Sequence, residues 1–367
     1  MRTLSDAERR AWLRLARTSN VGPVTFAALI ARFGSAFAAL DAAARMAQRG
    51  GGRLEIPPEN EIERELELLA KIGGRMIACI EPDFPRGLAA IDAPPPIIAA
   101  LGHTALLGRD MVAIVGARNA SALGRKFANR IAADLGRENL VVVSGLARGI
   151  DAAAHEGALA TGTVAVLAGG IDVIYPPEHA ALYARIESEG AVVSEMPLGR
   201  EPQALHFPRR NRIISGMARG VVVVEAAQGS GSLITANFAL EQGREIFAVP
   251  GSPLDPRAAG ANRLIREGAT LTESAKDVMD GLRPMLGRAF REASEERDDA
   301  LPDPASLDAD AGPIRETVAG LLGPAPVEID ELVRQTGAAP AVILTVILEL
   351  ELAGRLTRHP GNRVSLA

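Results

Sequence analysis

The chain has 367 residues, 47% of them hydrophobic, which is enough for two or three domains, and 3% aromatic, so any surface that stacks on bases must use few rings. Its one cysteine, Cys79, excludes an internal disulfide and a cysteine metal cage, and the five histidines (103, 155, 179, 206 and 359) show no ligand spacing. The formal charge of −5 is local, because residues 291–310 hold eight acids against two arginines and leave the remainder near +1.

Residues 1–74 read as a helical domain. MRTLSDAERR is too charged for a signal peptide, and no apolar run reaches bilayer length, so a cytoplasmic protein with no membrane contact is expected. Ser5 and Glu8 fit a capping box ahead of Trp12, Leu13 and Leu15. Asn20-Val21-Gly22-Pro23 breaks the pattern, and a second helix follows through Phe26, Leu29, Ile30 and Phe33. A helix-hairpin-helix, whose turn amides hold a phosphate, and a plain helical hairpin share this signature.

Residues 75–290 change texture. Short apolar runs appear at Met111–Val115, Leu140–Val143, Val164–Leu167, Ala191–Val193, Val221–Val224 and Ile246–Val249, several separated by Ala- and Leu-rich helical stretches. Continuous hydrophobicity marks strands covered on both faces, hence a doubly wound, largely parallel α/β sheet. Residues 291–312 read as an acidic linker. Residues 313–367 predict helices near Ile314–Leu322, Asp330–Gln335 and Pro340–Leu352, then two short strands around Pro360-Gly361-Asn362, which is a winged helix.

Open α/β sheets bind ligands at the carboxyl ends of their strands. Those ends read VGARNAS, SGLARGID, AGGID, SEMP, EAAQGSGSLITA and PGSP. Closely placed glycine and serine, among them Gly116, Gly145, Ser230 and Ser232, let backbone amides approach an anion. Arg118 and Arg148 follow such glycines, and Arg125, Lys126 and Arg130 continue the positive run. HFPRRNRIISG adds Arg209, Arg210 and Arg212 without an acid. Several arginines on separate loops suit a run of phosphates. Phe207 either stacks on a base or lies buried beneath the loop. Asn211 either binds a phosphate or caps a helix starting near Ile213.

Enzyme readings are weaker. GxxxxGK[ST] is absent, and GARNASALG is not GxGxxG. Asp151 and His155 lie four apart, but with no nucleophile nearby they read as a helix cap and a packed ring rather than an acid–base pair.

VGARNASALG, VVVSGLARGIDAAAH, TVAVLAGGIDVIYPPEH, VVSEMP, HFPRRNRIISGMARGVVVVEAAQGSGSLITANFALEQGREIFAVPGS and GANRLIREGA together closely resemble the bacterial DNA-processing protein A family, over roughly residues 76–275. The resemblance implies an extended Rossmann-like domain, an N-terminal helical domain and a C-terminal winged helix. It further implies a non-catalytic, cofactor-free homodimer that binds single-stranded DNA and hands it to the RecA recombinase in natural transformation. By motif position Arg118, Arg148, Arg210, Asn211 and Arg212 carry over as the DNA-binding set, with Phe207 as a stacking ring and Arg209 in a variable slot. Gly116-Ala117-Arg118 stands where the family often has Gly-Ser-Arg, losing a hydroxyl but keeping the charge.

Two alternatives stay open. Phosphoribohydrolases of the lysine-decarboxylase-like group use PGGxGTxxE; here QGSGSLIT puts Thr235 where the glutamate would fall. A nucleotide-sensing module would hold one mononucleotide in the same loops. The expected recognition helix, PAVILTVILELEL, carries no base and two glutamates, so a protein contact is expected of it rather than a major groove.

Overall fold

The protein is described from a computed structural model covering residues 2–288, 290, 304–359 and 361–367; most of the expected linker, residues 291–303, lies outside the described residues. The described residues group into two compact units. One is built on residues 64–288, the other on residues 4–63 together with 304–367.

Helix α1 (Asp6–Arg17) starts at the expected capping box: the Ser5 hydroxyl accepts from the Glu8 amide, and the Glu8 carboxylate accepts from the Ser5 amide at 2.9 Å. Asn20, with φ of 59°, and Gly22 turn the chain into α2 (Pro23–Phe33), which ends at a left-handed Gly34. Helix α3 (Ala36–Arg49) completes this part, and α4 (Glu59–Lys71) leads to the first strand.

Among the described residues nine strands form one sheet: β1 (Arg75–Ala78), β2 (Ile97–Gly102), β3 (Met111–Gly116), β4 (Val141–Ser144), β5 (Thr163–Leu167), β6 (Ala191–Ser194), β7 (Gly220–Val224), β8 (Glu245–Ala248) and β9 (Thr270–Leu271). Their spatial order is β1-β2-β6-β5-β4-β3-β7-β8-β9. All pairings are parallel except β1 with β2 and β2 with β6, which add an antiparallel edge. The helices of this unit are α5 (Arg86–Ala89), α6 (Ala122–Arg137), α7 (Ile150–Ala158), α8 (Ala180–Glu189), α9 (His206–Met217), α10 (Gly231–Glu241), α11 (Ala259–Arg266) and α12 (Ala275–Leu282).

Alternation sorts the inner strands onto two cores. Val112, Ile114, Val142 and Val222 pack with residues of α6, α7 and α12. Ala113, Val115, Val143 and Val223 pack with residues of α9, α10 and α11. A valine on either face is fully enclosed, each worth about 1.5–3 kcal/mol of burial. Strand β3 has β4 on one side and β7 on the other, and later strands run outward from it both ways. That reversal makes the carboxyl ends of β3, β4 and β7 the crevice where such sheets hold ligands.

The C-terminal part comprises α13 (Pro304–Leu321), β10 (Val327–Glu328), α14 (Ile329–Thr336), α15 (Pro340–Leu352), β11 (Leu356–His359) and β12 (Arg363–Leu366). Its small sheet, ordered β10-β12-β11, and its core of Val318, Leu332, Ile343, Val346 and Val364 make a winged helix. Helix α13 already begins at Pro304, so the end of the stretch expected as linker is helical. Among the described residues no single helix is long and apolar enough to cross a membrane.

Candidate nucleic-acid interface

Two glycines let the loops after β3 and β4 pack on each other. A Cβ at Gly116 would lie 2.6 Å from Ile150 Cγ1, just after the β4 loop, as well as 1.9 Å from the Val224 carbonyl oxygen of β7, and one at Gly149, where φ is 78°, would lie 2.2 Å from the Ala117 carbonyl oxygen. Arg118 sits exposed on this base and forms no ion pair among the described residues. Glu225, at the end of β7 with φ of 53°, accepts from the Ser121 amide at 2.8 Å and from its hydroxyl, tying β7 to the start of α6.

The turn after β4 is held from behind. Asp151 accepts from the amides of Gly145 at 3.2 Å and Ala147 at 3.4 Å. The Leu146 amide donates to His155 Nε2 at 3.3 Å, and His155 Nδ1 bonds Thr163 Oγ1, which itself donates to the Val142 carbonyl. That chain puts the ring proton on Nδ1. Burial, with Arg210 and His179 adding to it, pushes the His155 pKa down to about 3, so the ring is neutral. His155 is therefore packed, as expected. Asp151 departs from expectation, holding the preceding turn rather than capping its own helix. The 145–147 amides are consequently turned inward and are not free to cradle an anion.

Helix α9 begins at His206, well before the Ile213 start read from the sequence, so FPRRNR forms its first turns with Pro208 in the tolerated N-terminal position. Phe207, Arg210 and Asn211 then share one face at spacings of three and four. Asn211 does not cap the helix; its Nδ2 donates to the Gly231 carbonyl at 3.2 Å. Arg212 is turned away from this face, donating to both Glu195 oxygens at 2.7 Å and to the Ala93 carbonyl at 2.8 Å. Its expected convergence with the other arginines is not seen. Arg209 is exposed on α9, and Lys126 is exposed on α6; neither lines the crevice.

Arg210 is the centre of the site. Its side chain is 6% exposed, and a Cβ at Gly145 would lie 1.2 Å from its Nη1, so Gly145 is small to admit a guanidinium. Its one ion pair is long, 4.0 Å to Asp151, and its Nε has no hydrogen-bond partner among the described residues. Burial lowers its pKa to about 10, Asp151 partly offsetting this, and it remains charged at neutral pH. Burial raises the Asp151 pKa, opposed by Arg210 and the two amides.

Arg210, Arg118 and Phe207 line two adjoining cavities. The larger, about 560 Å³, also takes in Gly116, Asn211, Ser230, Ser232 and Thr235. The smaller, about 50 Å³, takes in Gly145, Arg148 and Tyr175. Phe207 is half-buried rather than hidden: the Tyr175 ring centroid is 5.8 Å from its own, and the Arg118 guanidinium carbon lies 5.1 Å from it. Ser230 and Ser232 hydroxyls bond each other at 2.7 Å at the start of α10. Arg148 is exposed and paired with the exposed Glu178, which raises the arginine pKa and lowers the glutamate's. Sequence reasoning missed Tyr175, although VIYPPEH was in view, and Arg257, which lines the larger cavity and pairs with Asp255. The arrangement offers one unpaired exposed guanidinium, one buried and under-satisfied guanidinium, an exchangeable third and a half-exposed ring pair along one crevice.

The family model for DNA recombination-mediator protein A matches residues 75–283, with the DprA-like N-terminal HHH domain at 6–67 and the DprA winged helix domain at 301–362. Protein Smf of Escherichia coli is 37% identical over 312 residues, spanning 84% of this chain and 82% of that one. DNA processing protein DprA of Bacillus subtilis is 42% identical over 234 residues, spanning 61% and 79%. The X-ray structure of DNA processing protein A from Streptococcus pneumoniae superposes with a TM-score of 0.57 at 40% identity, covering 61% of this chain and 78% of that one. The DNA processing protein A structure from Helicobacter pylori, described for its single-stranded DNA binding mode, gives a TM-score of 0.53 at 26% identity, covering 58% and 97%. With its fold, its three domain matches and these relatives in agreement, the chain belongs to the DNA recombination-mediator protein A family.

Proposed function

We propose that this protein binds single-stranded DNA without catalysis, with the backbone running along the carboxyl ends of β3, β4 and β7. The observation that carries the reading is Arg210: a charged, buried guanidinium with an unpaired Nε and only a long ion pair, opening on both cavities. A buried donor left so is costly unless an acceptor meets it, and a phosphate oxygen is one. Arg118 and Arg148 above it supply further phosphate contacts, and Phe207 with Tyr175 supplies a surface for a base. Such contacts follow a backbone without reading sequence. Membership in the family and the binding mode described for the Helicobacter pylori protein support this reading.

The bound strand is then passed to RecA in recombination during transformation, by a homodimer formed through the central sheet; both are carried here by the family resemblance alone. The phosphoribohydrolase alternative has little support, since Thr235 lies on the larger cavity where that motif needs a carboxylate. Titration of a mixed-sequence oligonucleotide tests the proposal. Single strands should bind more tightly than duplex, with log affinity falling against log salt at a slope of about −2 to −4. Equal affinity for a mononucleotide, or release of free base from nucleoside monophosphates, would overturn it.

A further inference from the structure

Helix α15 is buried around nearly its whole circumference. In a free winged helix one stripe of this element enters the core and the opposite stripe faces solvent or a DNA groove. Here Val342, Ile343, Val346, Ile347 and Leu350 enter the winged-helix core. The opposite stripe, Thr345, Leu348, Glu349 and Leu352, is buried too. It is covered by the chain's own N-terminal helices. Arg32 of α2 donates to Thr345 Oγ1 at 2.8 Å and pairs with Asp308 of α13 at 2.6 Å. Arg49 of α3 pairs with Asp308 at 3.0 Å and with Glu349, whose carboxylate also accepts from Arg315 Nε at 2.8 Å.

Backbone approach completes the contact. A Cβ at Gly50 would lie 2.2 Å from the Glu349 carbonyl oxygen, and one at Gly52 would lie 2.3 Å from that of Ala353, so the Gly50-Gly51-Gly52 run is needed for the two segments to meet. Asn20, in the turn between α1 and α2, donates its amide to the Leu352 carbonyl at 3.2 Å.

We infer that the N-terminal helices α2 and α3 mask the recognition helix of the winged helix, α15. Helices α2, α3 and α15 form one cooperative folding unit, while the turn at residues 20–23 keeps Asn20 and Gly22 exposed. The apolar recognition helix and its glutamates follow from this: the helix reads a protein surface belonging to its own chain. Glu349, fully enclosed, depends on arginines from both segments, and removing one partner of such a pair is strongly destabilising.

Hydrogen exchange on the full-length chain tests this through reciprocal variants, with the central sheet as the control for global unfolding. Arg49→Glu, in the N-terminal segment, is expected to accelerate exchange across α15 by about 100-fold or more. Leu348→Gln, in the C-terminal segment, is expected to accelerate exchange across α2 and α3. Were the segments independent, Leu348→Gln would leave α2 and α3 unchanged and Arg49→Glu would act only on residues 4–63; either result overturns the inference. Saturating the wild-type chain with single-stranded or duplex oligonucleotide should leave exchange in α15 unaltered. New protection there would show that α15 is open to DNA and would overturn the masking.

Discussion

A methyl group at position 145 should act through a residue sixty-five positions away. In Gly145→Ala the new Cβ would fall 1.2 Å from Arg210 Nη1, 2.4 Å from its Cζ and 2.8 Å from Asp151 Oδ2, so the guanidinium must leave its slot. Asp151 then keeps its two amide bonds but loses its counter-charge while still buried. Breaking a compact buried pair costs about 3–5 kcal/mol. At 4.0 Å this pair is looser, and about 2–3 kcal/mol is expected, a fall in Tm of roughly 4–12 °C for a unit of this size. Losing one charge-assisted contact to phosphate, about 1.5–3 kcal/mol, should weaken single-strand binding by about ten- to a hundred-fold. Thermal melting and fluorescence anisotropy with a labelled oligonucleotide measure the two effects. The double variant Gly145→Ala/Arg210→Ala is the sharper check, because both changes remove the same guanidinium and should not add. Additive losses, or a Gly145→Ala protein with wild-type stability and affinity, would refute the geometry.

The buried histidine sets a pH dependence. His155 has a folded pKa of about 3 against about 6.5 unfolded, so between these values the unfolded chain holds a proton that the native chain does not. This contribution is complete above pH 6.5 and declines as pH falls, reaching a loss of about 2 kcal/mol at pH 5. Burial raises the Asp151 pKa, which acts in the opposite direction in acid, so the effect is read as the difference between urea-melt stabilities of wild type and His155→Gln. Equal pH slopes in the two proteins would contradict the neutral ring. Arg212→Met, which removes the ion pair to Glu195 and the bond to the Ala93 carbonyl, should cost about 1–3 kcal/mol in the same melts yet leave the salt dependence of DNA binding unchanged, because Arg212 lies off the crevice. A shallower salt slope in that variant would place it on the DNA.

The inner strands were legible because burial on both faces removes alternation and leaves valine runs such as Val141–Val143 and Val221–Val224. The Ser5 capping box and the winged helix were legible from local chemistry. The antiparallel strands β1 and β2 were not: one is four residues long, and the other, IIAALG, is no richer in β-branched residues than many helices. The arginines were legible as a group but not their directions. Placing the helix start at Ile213 hid the spacing that puts Phe207, Arg210 and Asn211 on one face and Arg212 on another. Gly145 illustrates a different limit. Its smallness was read as room for an anion, whereas it makes room for Arg210, and only coordinates distinguish a glycine that admits a ligand from one that admits a side chain. The apolar recognition helix was plain in the sequence, but its partner lay some three hundred residues earlier.

The salt slope of single-strand binding in Arg118→Gln/Arg148→Gln, compared with wild type, tests the proposed crevice most directly. Each cation lost from a phosphate contact removes about 0.7 from the slope of log affinity against log salt, so the double variant should be shallower by about 1.4. An unchanged slope would mean that the strand does not run past these two residues, and the account of the crevice would be wrong.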